Sequence, residues 1–267
     1  MPISCPIEVR PISVDEFVEL DYHVMGHAFD SQTELGRLCD EQVYRHDLAA
    51  RLVSAKVGTV RAEVPITVTH RDFIKLYRMD LLLNDGAVYE LKTNSRLISD
   101  HEAQLLNYLF LFGTPRGKLI NFRPARVETR FLNNPLTKQA RWRMEAETTR
   151  WQETDEASAR LRQTMMALLE DWGGFLDFVL YTEALTHFLG GEERVVQMVP
   201  LRRDGTSLGN QRLHLVNADT AFRITALAGG AADYEPQLRA LLQHSPLRAI
   251  QWINLARHQV HFVTLTK

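Results

Sequence analysis

Apolar and polar positions along the first part of the chain follow the periods of helices and strands. Ser13 followed by Glu16 has the spacing of a capping box and predicts a helix start. A helical period then predicts a helix over residues 31–53. Alternating positions predict three strands, over residues 60–68, 76–83 and 87–93. The run Asn84-Asp85-Gly86 between the last two strands is a strong hairpin signal.

The same half of the chain continues with a helix and two more strands. The helix is predicted over residues 99–112 and ends near Gly113 and Pro115. The strands are predicted over residues 118–122 and 127–132. The order of helix, strands, helix and strands is typical of an α/β fold in which helices flank a mixed sheet.

The pattern then recurs in the second half at an offset of about 135 residues. The order and spacing of the matches hold along the whole unit, with gaps of one or two residues. We therefore expect the same fold twice, whereas the alternative is two unrelated α/β domains with similar periodicity. The clearest matches pair Gly36 with Gly173, Asp40 with Asp177, Tyr44 with Tyr181, Leu48 with Leu185, Val64-Pro65 with Val199-Pro200, and Ile120-Asn121 with Ile253-Asn254.

The repeat predicts three segments. The first domain spans residues 1–134 and the second copy spans residues 161–267. Residues 135–160 are rich in Ala, Glu and Arg, and their charges lie on all sides of a helical projection. That composition favours an exposed helical connector between the two domains.

Composition narrows the class of protein without identifying a partner. The chain has 267 residues, 45% hydrophobic residues and a net charge of −2, so a nucleic-acid surface has to be a local patch. The two cysteines, Cys5 and Cys39, form no CxxC pair, which argues against a structural zinc site and suits the cytoplasm. We expect no signal peptide and no membrane span, because no basic start precedes an apolar core and residues 175–189 are too charged.

Candidate chemistry lies in the hairpin around Asn84-Asp85-Gly86. If Asp85 is the centre of the turn, Asp80 lies across from Glu90, with Cβ atoms ~5 Å apart. Two carboxylates at that distance need a neutralising charge, and their hard oxygen atoms suit Mg²⁺ or Mn²⁺. Lys92 lies on the same side of the strand as Glu90, while Leu91 points the other way. A bulge in the turn would shift the pairing by one position.

A fourth acid, Glu41, lies on the apolar stripe that Leu38, Leu48 and Leu52 form on the predicted helix. A carboxylate on a core-facing stripe is costly without a partner. The metal site is one candidate partner for Glu41, and Arg45, one helical turn later, is the other.

These residues lie within motifs that resemble the GxxExxxR proteins, a branch of the PD-(D/E)XK nuclease superfamily. The resemblance covers about residues 25–132. The motifs are Glu63-Val64-Pro65-Ile66, Arg78-Met79-Asp80-Leu81-Leu82, Glu90-Leu91-Lys92, the run from His101-Glu102-Ala103-Gln104 to Asn107-Tyr108-Leu109, and Ile120-Asn121-Phe122.

The resemblance implies a restriction-endonuclease-like core with a cation-binding site. It implies metal ligation by Asp80 and Glu90, catalysis assisted by Lys92, and a supporting role for Gln104. The helix acid of the family falls on Glu41 and its namesake arginine on Arg45. The namesake glycine falls on Leu38, a departure that puts the local helix packing in doubt.

The second copy keeps the framework and loses the charged residues. Allowing one gap, Glu41 is replaced by Phe178, Asp80 by His214, Glu90 by Arg223 and Lys92 by Thr225. This half should bind no Mg²⁺, because no carboxylate pair remains. We interpret it as a degenerate partner of the first copy, so the protein is expected to be a monomer with pseudo-dimeric halves or a homodimer.

Two weaker signals have structural alternatives. The first is a basic stretch of eight residues that either tracks phosphates or protects an edge strand. Its members are Arg116, Lys118, Arg123, Arg126, Arg130, Lys138, Arg141 and Arg143, with Trp142 as a stacking candidate. The second is the pair His23 and His27, whose spacing suits a metal but which lacks a third ligand.

The function predicted is metal-dependent hydrolysis of phosphodiester bonds in DNA or RNA. Asp80, Glu90 and the Leu91 carbonyl would hold Mg²⁺ or Mn²⁺, and Glu41 would hold a second metal or a water. Lys92 would position the attacking water, and Gln104 would brace Lys92 or reach the substrate. The alternative is a non-catalytic module with a nuclease-like fold that binds nucleic acid or protein.

Overall fold

A computed structural model describes residues 2–267, except for the side chain of Lys138. The chain divides into two compact units, the first ending at Lys138 and the second beginning at Gln139. Each unit contains one six-stranded mixed sheet with helices packed on it, which confirms the predicted α/β class. Within the described residues, no helix combines the length and apolar composition that a bilayer crossing needs.

Unit 1 is built from three helices and six strands. In chain order they are β1 Ile3–Ser4, α1 Val14–Leu35, α2 Glu41–Ser54, β2 Val60–His70, β3 Phe73–Leu83, β4 Ala87–Lys92, α3 Ser99–Phe112, β5 Arg116–Asn121 and β6 Glu128–Asn133. The sheet order is β1-β2-β3-β4-β5-β6, and only the β4–β5 pair is parallel. The helix α3 connects that parallel pair, as a crossover requires.

The helix predicted over residues 31–53 is wrong, because two helices share that region. The capping box at Ser13 and Glu16 does start a helix, and α1 runs from there to Leu35. Gly36 then adopts a φ of 72°, and α2 begins only at Glu41. Leu38 lies in this turn with 85% of its side chain exposed, so it belongs to no apolar stripe.

The core of unit 1 fixes the positions of β3, β4 and α2. Tyr44, Leu48 and Leu52 of α2 are fully buried against the β3 and β4 side chains Leu81 and Leu91. This apolar layer holds the N-terminal end of α2 beside the hairpin, because burial of each such side chain stabilises the fold by about 1.5–3 kcal/mol. Leu91 points into this layer, as predicted.

Unit 2 begins with a short 3-10 helix and then repeats the α/β pattern. Its elements are the 3-10 helix Lys138–Trp142, β7 Glu145–Arg150, α4 Glu156–Trp172, α5 Phe178–Phe188, α6 Glu192–Val195, β8 Val196–Arg203, β9 Thr206–Leu215, β10 Thr220–Thr225, α7 Ala231–His244, β11 Ala249–Ala256 and β12 Gln259–Thr266. The sheet order is β7-β12-β11-β10-β9-β8.

The predicted connector helix over residues 135–160 is also wrong. Residues 145–150 form β7, which pairs in parallel with β12 at the edge of the second sheet. Backbone pairing at this edge outweighs the helical propensity of the Ala- and Glu-rich sequence. A helix starts only at Glu156, where the Asp155 carboxylate accepts the Ser158 N–H at 2.8 Å.

The two units share their strand order and several local bonds. The strands β2 to β6 and β8 to β12 follow one another in the same spatial order, and β10–β11 is again parallel. The Tyr44 hydroxyl donates to the Gly36 carbonyl at 2.6 Å, and the Tyr181 hydroxyl donates to the Gly173 carbonyl at 2.5 Å. Gly36 and Gly173 have φ values of 72° and 75°.

A second recurring contact joins the second strand of each parallel pair, β5 or β11, to the loop that follows the first strand, β4 or β10. The Asn121 side chain accepts from the Asn94 N–H and donates to the Asn94 carbonyl. The Asn254 side chain does the same with the backbone of Leu227. The matched pairs Gly36 and Gly173, Tyr44 and Tyr181, and Asn121 and Asn254 therefore make the same contacts in the two units.

One correspondence has to be shifted by a residue. His214 pairs with Phe222, whereas Leu81 pairs with Tyr89 at the matching place of unit 1. The register therefore matches His214 to Leu81 and Leu213 to Asp80. The predicted match of Asp80 to His214 fails because Tyr89 and Phe222 each come eight residues after their partners, so no gap falls within either hairpin.

We expect the two Tyr–Gly hydrogen bonds to stabilise their units separately. Tyr44→Phe and Tyr181→Phe should each lower the free energy of unfolding by about 1 kcal/mol, because each removes one donor from a helix-end carbonyl. Urea unfolding measures the change. Tyr22→Phe is the control, because Tyr22 is 78% exposed. An unchanged midpoint in both test variants would contradict the expectation.

Candidate metal centre

The hairpin has the predicted register and brings the two carboxylates together. Leu81 pairs with Tyr89 and Leu83 with Ala87, so Asp85 is the centre of the turn. The same register places Asp80 opposite Glu90. The loop between Leu83 and Ala87 has three residues, and the first two, Asn84 and Asp85, have φ values of 50° and 54°. Gly86 then donates its N–H to the Leu83 carbonyl at 3.1 Å.

Glu90 is the most deeply buried acid of the site. It is 2% exposed, and its Oε1 accepts from the Lys92 ammonium at 2.8 Å. Its Oε2 is buried and has no hydrogen-bond partner among the described residues. Burial raises the pKa of Glu90 to about 8, and the charge of Asp80 adds to this while Lys92 opposes it.

Lys92 remains the cationic partner of this acid. Burial by itself lowers the pKa of Lys92, but the contact with Glu90 and the charges of Glu41 and Asp80 outweigh burial and leave the pKa raised. The ammonium is therefore held in its charged form beside the carboxylates. A charged donor there can orient a water or face a phosphate oxygen.

Asp80 has two partners that the chain itself supplies. Its Oδ1 accepts from the Arg45 guanidinium at 2.8 Å, and its Oδ2 accepts from the Leu91 N–H at 2.8 Å. The site therefore contains the Arg45 guanidinium in addition to the predicted Lys92 ammonium and the carboxylates of Asp80 and Glu90. Arg45 pairs with Asp80 and Glu63, not with Glu41, to which it was one of two candidate partners.

Glu41 is the first residue of α2 and lies near the same charges. Burial raises the pKa of Glu41, and among the charges acting on it Lys92 and Arg45 lower it while Asp80 raises it. Glu41 is half-buried, and it comes directly after Asp40, the N-cap residue of α2. The prediction that Glu41 lies on an apolar stripe with Leu38 is wrong, but Glu41 does lie close enough to Asp80 to be affected by its charge.

Gln104 does not brace Lys92. Its side-chain amide donates to the Tyr108 hydroxyl at 3.1 Å, within the same helix. Tyr108 is buried, and burial together with the charge of Glu90 raises its pKa. Gln104 and Tyr108 thus form a polar wall of the site on α3.

Glu63 is a residue that the sequence did not assign to the site. Its carboxylate accepts from Arg45 at 3.0 Å, although its backbone has a φ of 53° in the middle of β2. A non-glycine residue in this region is strained by about 1–3 kcal/mol. No periodicity in the sequence signals such a conformation, and Glu63 was visible only as part of the Glu63-Val64-Pro65 motif.

The donor atoms fit a divalent cation incompletely in this arrangement. Within residues 2–267, no three His, Cys, Asp or Glu side chains are gathered as they are around a metal ion. Both oxygens of Asp80 already accept hydrogen bonds, one from Arg45 and one from Leu91. The unpartnered Oε2 of Glu90 is the atom that fits a cation, because a buried oxygen without a partner is costly.

Most of the basic stretch has structural partners inside its own unit. Lys118 pairs with Asp21, Arg130 pairs with Glu102, and the other contacts are to backbone carbonyls. Arg141 is 1% exposed, and burial lowers its pKa to about 10. The residues with such internal partners are Arg116, Lys118, Arg123, Arg130 and Arg141. The Lys138 side chain lies outside the described residues.

The stacking and histidine candidates also have ordinary roles. Trp142 is 38% exposed and donates from its indole to the Glu170 carbonyl. His27 lies 4.0 Å from Asp30, and no metal-like group forms around either histidine within the described residues.

Comparison with known proteins shows a superfamily resemblance over the segment that contains the site. Residues 18–131 match the PD-(D/E)XK nuclease superfamily. That segment contains Glu41, Asp80, Glu90, Lys92 and Gln104, so the superfamily resemblance is supported for most of unit 1. No curated protein matches the chain. The crystal structure of SSO0001 is similar at 21% identity over 48% of this chain and 81% of that protein, with a TM-score of 0.29.

The raised pKa of Glu90 predicts a pH effect on stability in the absence of cations. Below pH 4.5, the usual pKa of a glutamate, the Glu90 carboxyl is protonated in both the folded and the unfolded protein. Between pH 4.5 and about 8 it ionises in the unfolded protein and stays protonated in the folded one. Stability should therefore fall as the pH rises through this window. Glu90→Gln should remove that fall. Thermal melting at a series of pH values between these limits, in a buffer with a chelator, measures the fall in stability. Glu19→Gln is the control, because Glu19 is exposed. Parallel pH profiles for wild type and Glu90→Gln would contradict the expectation.

Proposed function

We propose that unit 1 is a divalent-cation-dependent nuclease that hydrolyses phosphodiester bonds of DNA or RNA. The observation that supports this most is the buried set of Asp80, Glu90 and Lys92 on one hairpin, where Glu90 Oε2 has no hydrogen-bond partner among the described residues. The match of residues 18–131 to a nuclease superfamily supports the same reaction class. The GxxExxxR branch within that superfamily is part of the proposal.

Asp80, Glu90 and the Leu91 carbonyl would hold Mg²⁺ or Mn²⁺, and Glu41 would hold a second ion or a water. The bound cation supplies a Lewis acid that activates water and offsets charge on the phosphate. Lys92 orients the attacking water or stabilises the transition-state charge with its ammonium. Gln104 and Tyr108 shape the wall against which the substrate lies.

We propose that Arg45 leaves Asp80 when that carboxylate accepts a cation, because the guanidinium and the cation would otherwise bring two positive charges together at one carboxylate. Its guanidinium already contacts Glu63 with one nitrogen, while another contacts Asp80. Glu63 is half-exposed, so it can keep the arginine after Asp80 releases it. We infer that Glu63 is a positioning residue that receives Arg45 and thereby favours cation binding.

Unit 2 is proposed to be an inactive copy of the same fold. Support comes from the shared strand order, the paired Tyr–Gly bonds and the paired asparagine contacts. The proposal includes a domain boundary near residue 138, a monomer with pseudo-dimeric halves, and a cytoplasmic location.

A non-catalytic binding role is the second candidate. The observation that favours it is the pairing of Asp80 with Arg45, which leaves no open three-ligand set among the described residues. Cation binding separates the two functions, because a binder of nucleic acid or protein needs no ion at Asp80.

Mn²⁺ should raise the melting temperature of the wild-type protein and not that of Asp80→Ala. A ligand at a hundred times its Kd stabilises the folded state by about 2.7 kcal/mol. Asp80→Ala should also abolish Mn²⁺-dependent cleavage of DNA and RNA. Asp85→Asn in the same hairpin is the control, because Asp85 pairs with Arg61 outside the site. Equal cleavage by wild type and Asp80→Ala would refute the nuclease assignment.

Glu63→Gln should weaken Mn²⁺ binding several-fold, because Arg45 then has only Asp80 as an anionic partner. A titration of Mn²⁺ followed by melting temperature or electron paramagnetic resonance measures the affinity without any cleavage assay. Glu34→Gln is the matched control, since Glu34 pairs with Arg51 elsewhere on the unit. Unchanged affinity in Glu63→Gln would show that Arg45 needs no acceptor there.

A further inference from the structure

Unit 2 contains an open cavity of about 560 Å³ between α5, α6 and the strands β8 to β10. This volume lies within the range of small-molecule sites, about 300–1,000 Å³. The lining combines aromatic and cationic side chains, among them Phe178, Phe222, His214, Arg212 and Arg223. Nothing in the proposed chemistry of unit 1 uses this cavity.

The cavity includes the places that two acids of unit 1, Glu41 and Glu90, occupy. Phe178 starts α5 after Asp177, as Glu41 starts α2 after Asp40. Thr225 pairs with Asn254 as Lys92 pairs with Asn121, so Thr225 corresponds to Lys92. Arg223, two residues earlier, therefore corresponds to Glu90. The acidic site has therefore been replaced by an aromatic ring and a guanidinium on the same scaffold.

Two polar side chains that line the cavity, Arg223 and His214, can each donate a further hydrogen bond to a ligand. Arg223 donates its Nε to the Tyr234 hydroxyl at 3.0 Å and has no carboxylate partner among the described residues. Half-buried His214 packs against the Phe222 ring, and within residues 2–267 neither of its ring nitrogens makes a hydrogen bond. In contrast, Arg212 is paired with Glu192 at the exposed rim.

Aromatic surface beside these groups defines the kind of ligand. Phe178 is 37% exposed and lines the cavity, so its ring is accessible to a planar partner. Aromatic stacking accepts every nucleobase, because each base has a π face. A guanidinium is the preferred side chain for a phosphate. Glu183 and Glu192 also line the cavity, which favours a ligand with few negative charges over a polyanionic one.

We propose that this cavity binds one nucleotide, with its base against Phe178 and its phosphate at Arg223 and His214. The nucleotide is either free or the terminal unit of a single strand, since the recognising chemistry is the same. Binding requires no cation, because no acid of the unit 1 set remains there. The choice of a nucleotide over other aromatic anions rests on the proposed function of unit 1.

The test uses the full chain carrying Asp80→Ala in a chelating buffer, so that cleavage does not interfere. Fluorescence anisotropy follows a labelled ten-nucleotide single-stranded DNA, with AMP as competitor. Arg223→Glu and Phe178→Ala should each weaken binding by about tenfold or more. Arg248→Glu is the charge-matched control, because Arg248 lies outside this cavity and its side chain is 84% exposed. Unchanged melting temperatures check that the variants are folded.

The outcomes separate this proposal from the nuclease assignment. Competition by AMP identifies a free-nucleotide site, and binding of the oligonucleotide without competition identifies a strand terminus; either supports the cavity. Binding that is absent in the parent, unaffected by Arg223→Glu and Phe178→Ala, or equally weakened by Arg248→Glu overturns it. Because no cation is present, loss of the Mn²⁺ effect at Asp80 would leave this result unaffected.

Discussion

The burial of two neighbouring carboxylates, Asp80 and Glu90, is the constraint on which unit 1 depends. Like charges in a poorly solvated place are strongly unfavourable unless cations and donors surround them. The chain satisfies them with Lys92, with Arg45 and with the N–H of Leu91. Each partner imposes a structural condition: α2 has to start where Arg45 reaches the sheet, and β2 has to distort at Glu63. The apolar core then holds these elements in place.

Unit 2 shows what the scaffold requires when that constraint is removed. The hydroxyl–carbonyl bonds at the helix turn and the asparagine contacts at the parallel strands are present in both units. They satisfy backbone groups, so they are needed whatever chemistry the fold carries. The charged residues are not retained, and Phe178, Arg223 and Thr225 stand in the places of Glu41, Glu90 and Lys92. Framework and chemistry are thus separable in this protein.

Much of this arrangement follows from the sequence, and the exceptions have definite physical causes. The hairpin register was predictable because a short turn centred on Asp85 and a period of two determine which side chains face each other. The Gly36 turn was missed because apolar spacing continues across it, and β7 was missed because a parallel edge pairing has no local signal. The Arg45–Glu63–Asp80 contact depends on one left-handed residue, which no pattern of hydrophobicity reveals. Gln104 could be located on its helix, but its partner could not.

The contact between Arg45 and Asp80 has a consequence for how the protein is made. Small zinc-dependent domains are unfolded until their ion arrives, because the ion supplies most of their stability. Here each buried carboxylate of the hairpin already has a cationic partner from the same chain. Unit 1 can therefore complete its synthesis and folding in a metal-poor environment. Under the proposed function, the supply of ions governs when the protein becomes competent, whereas folding itself does not wait for an ion.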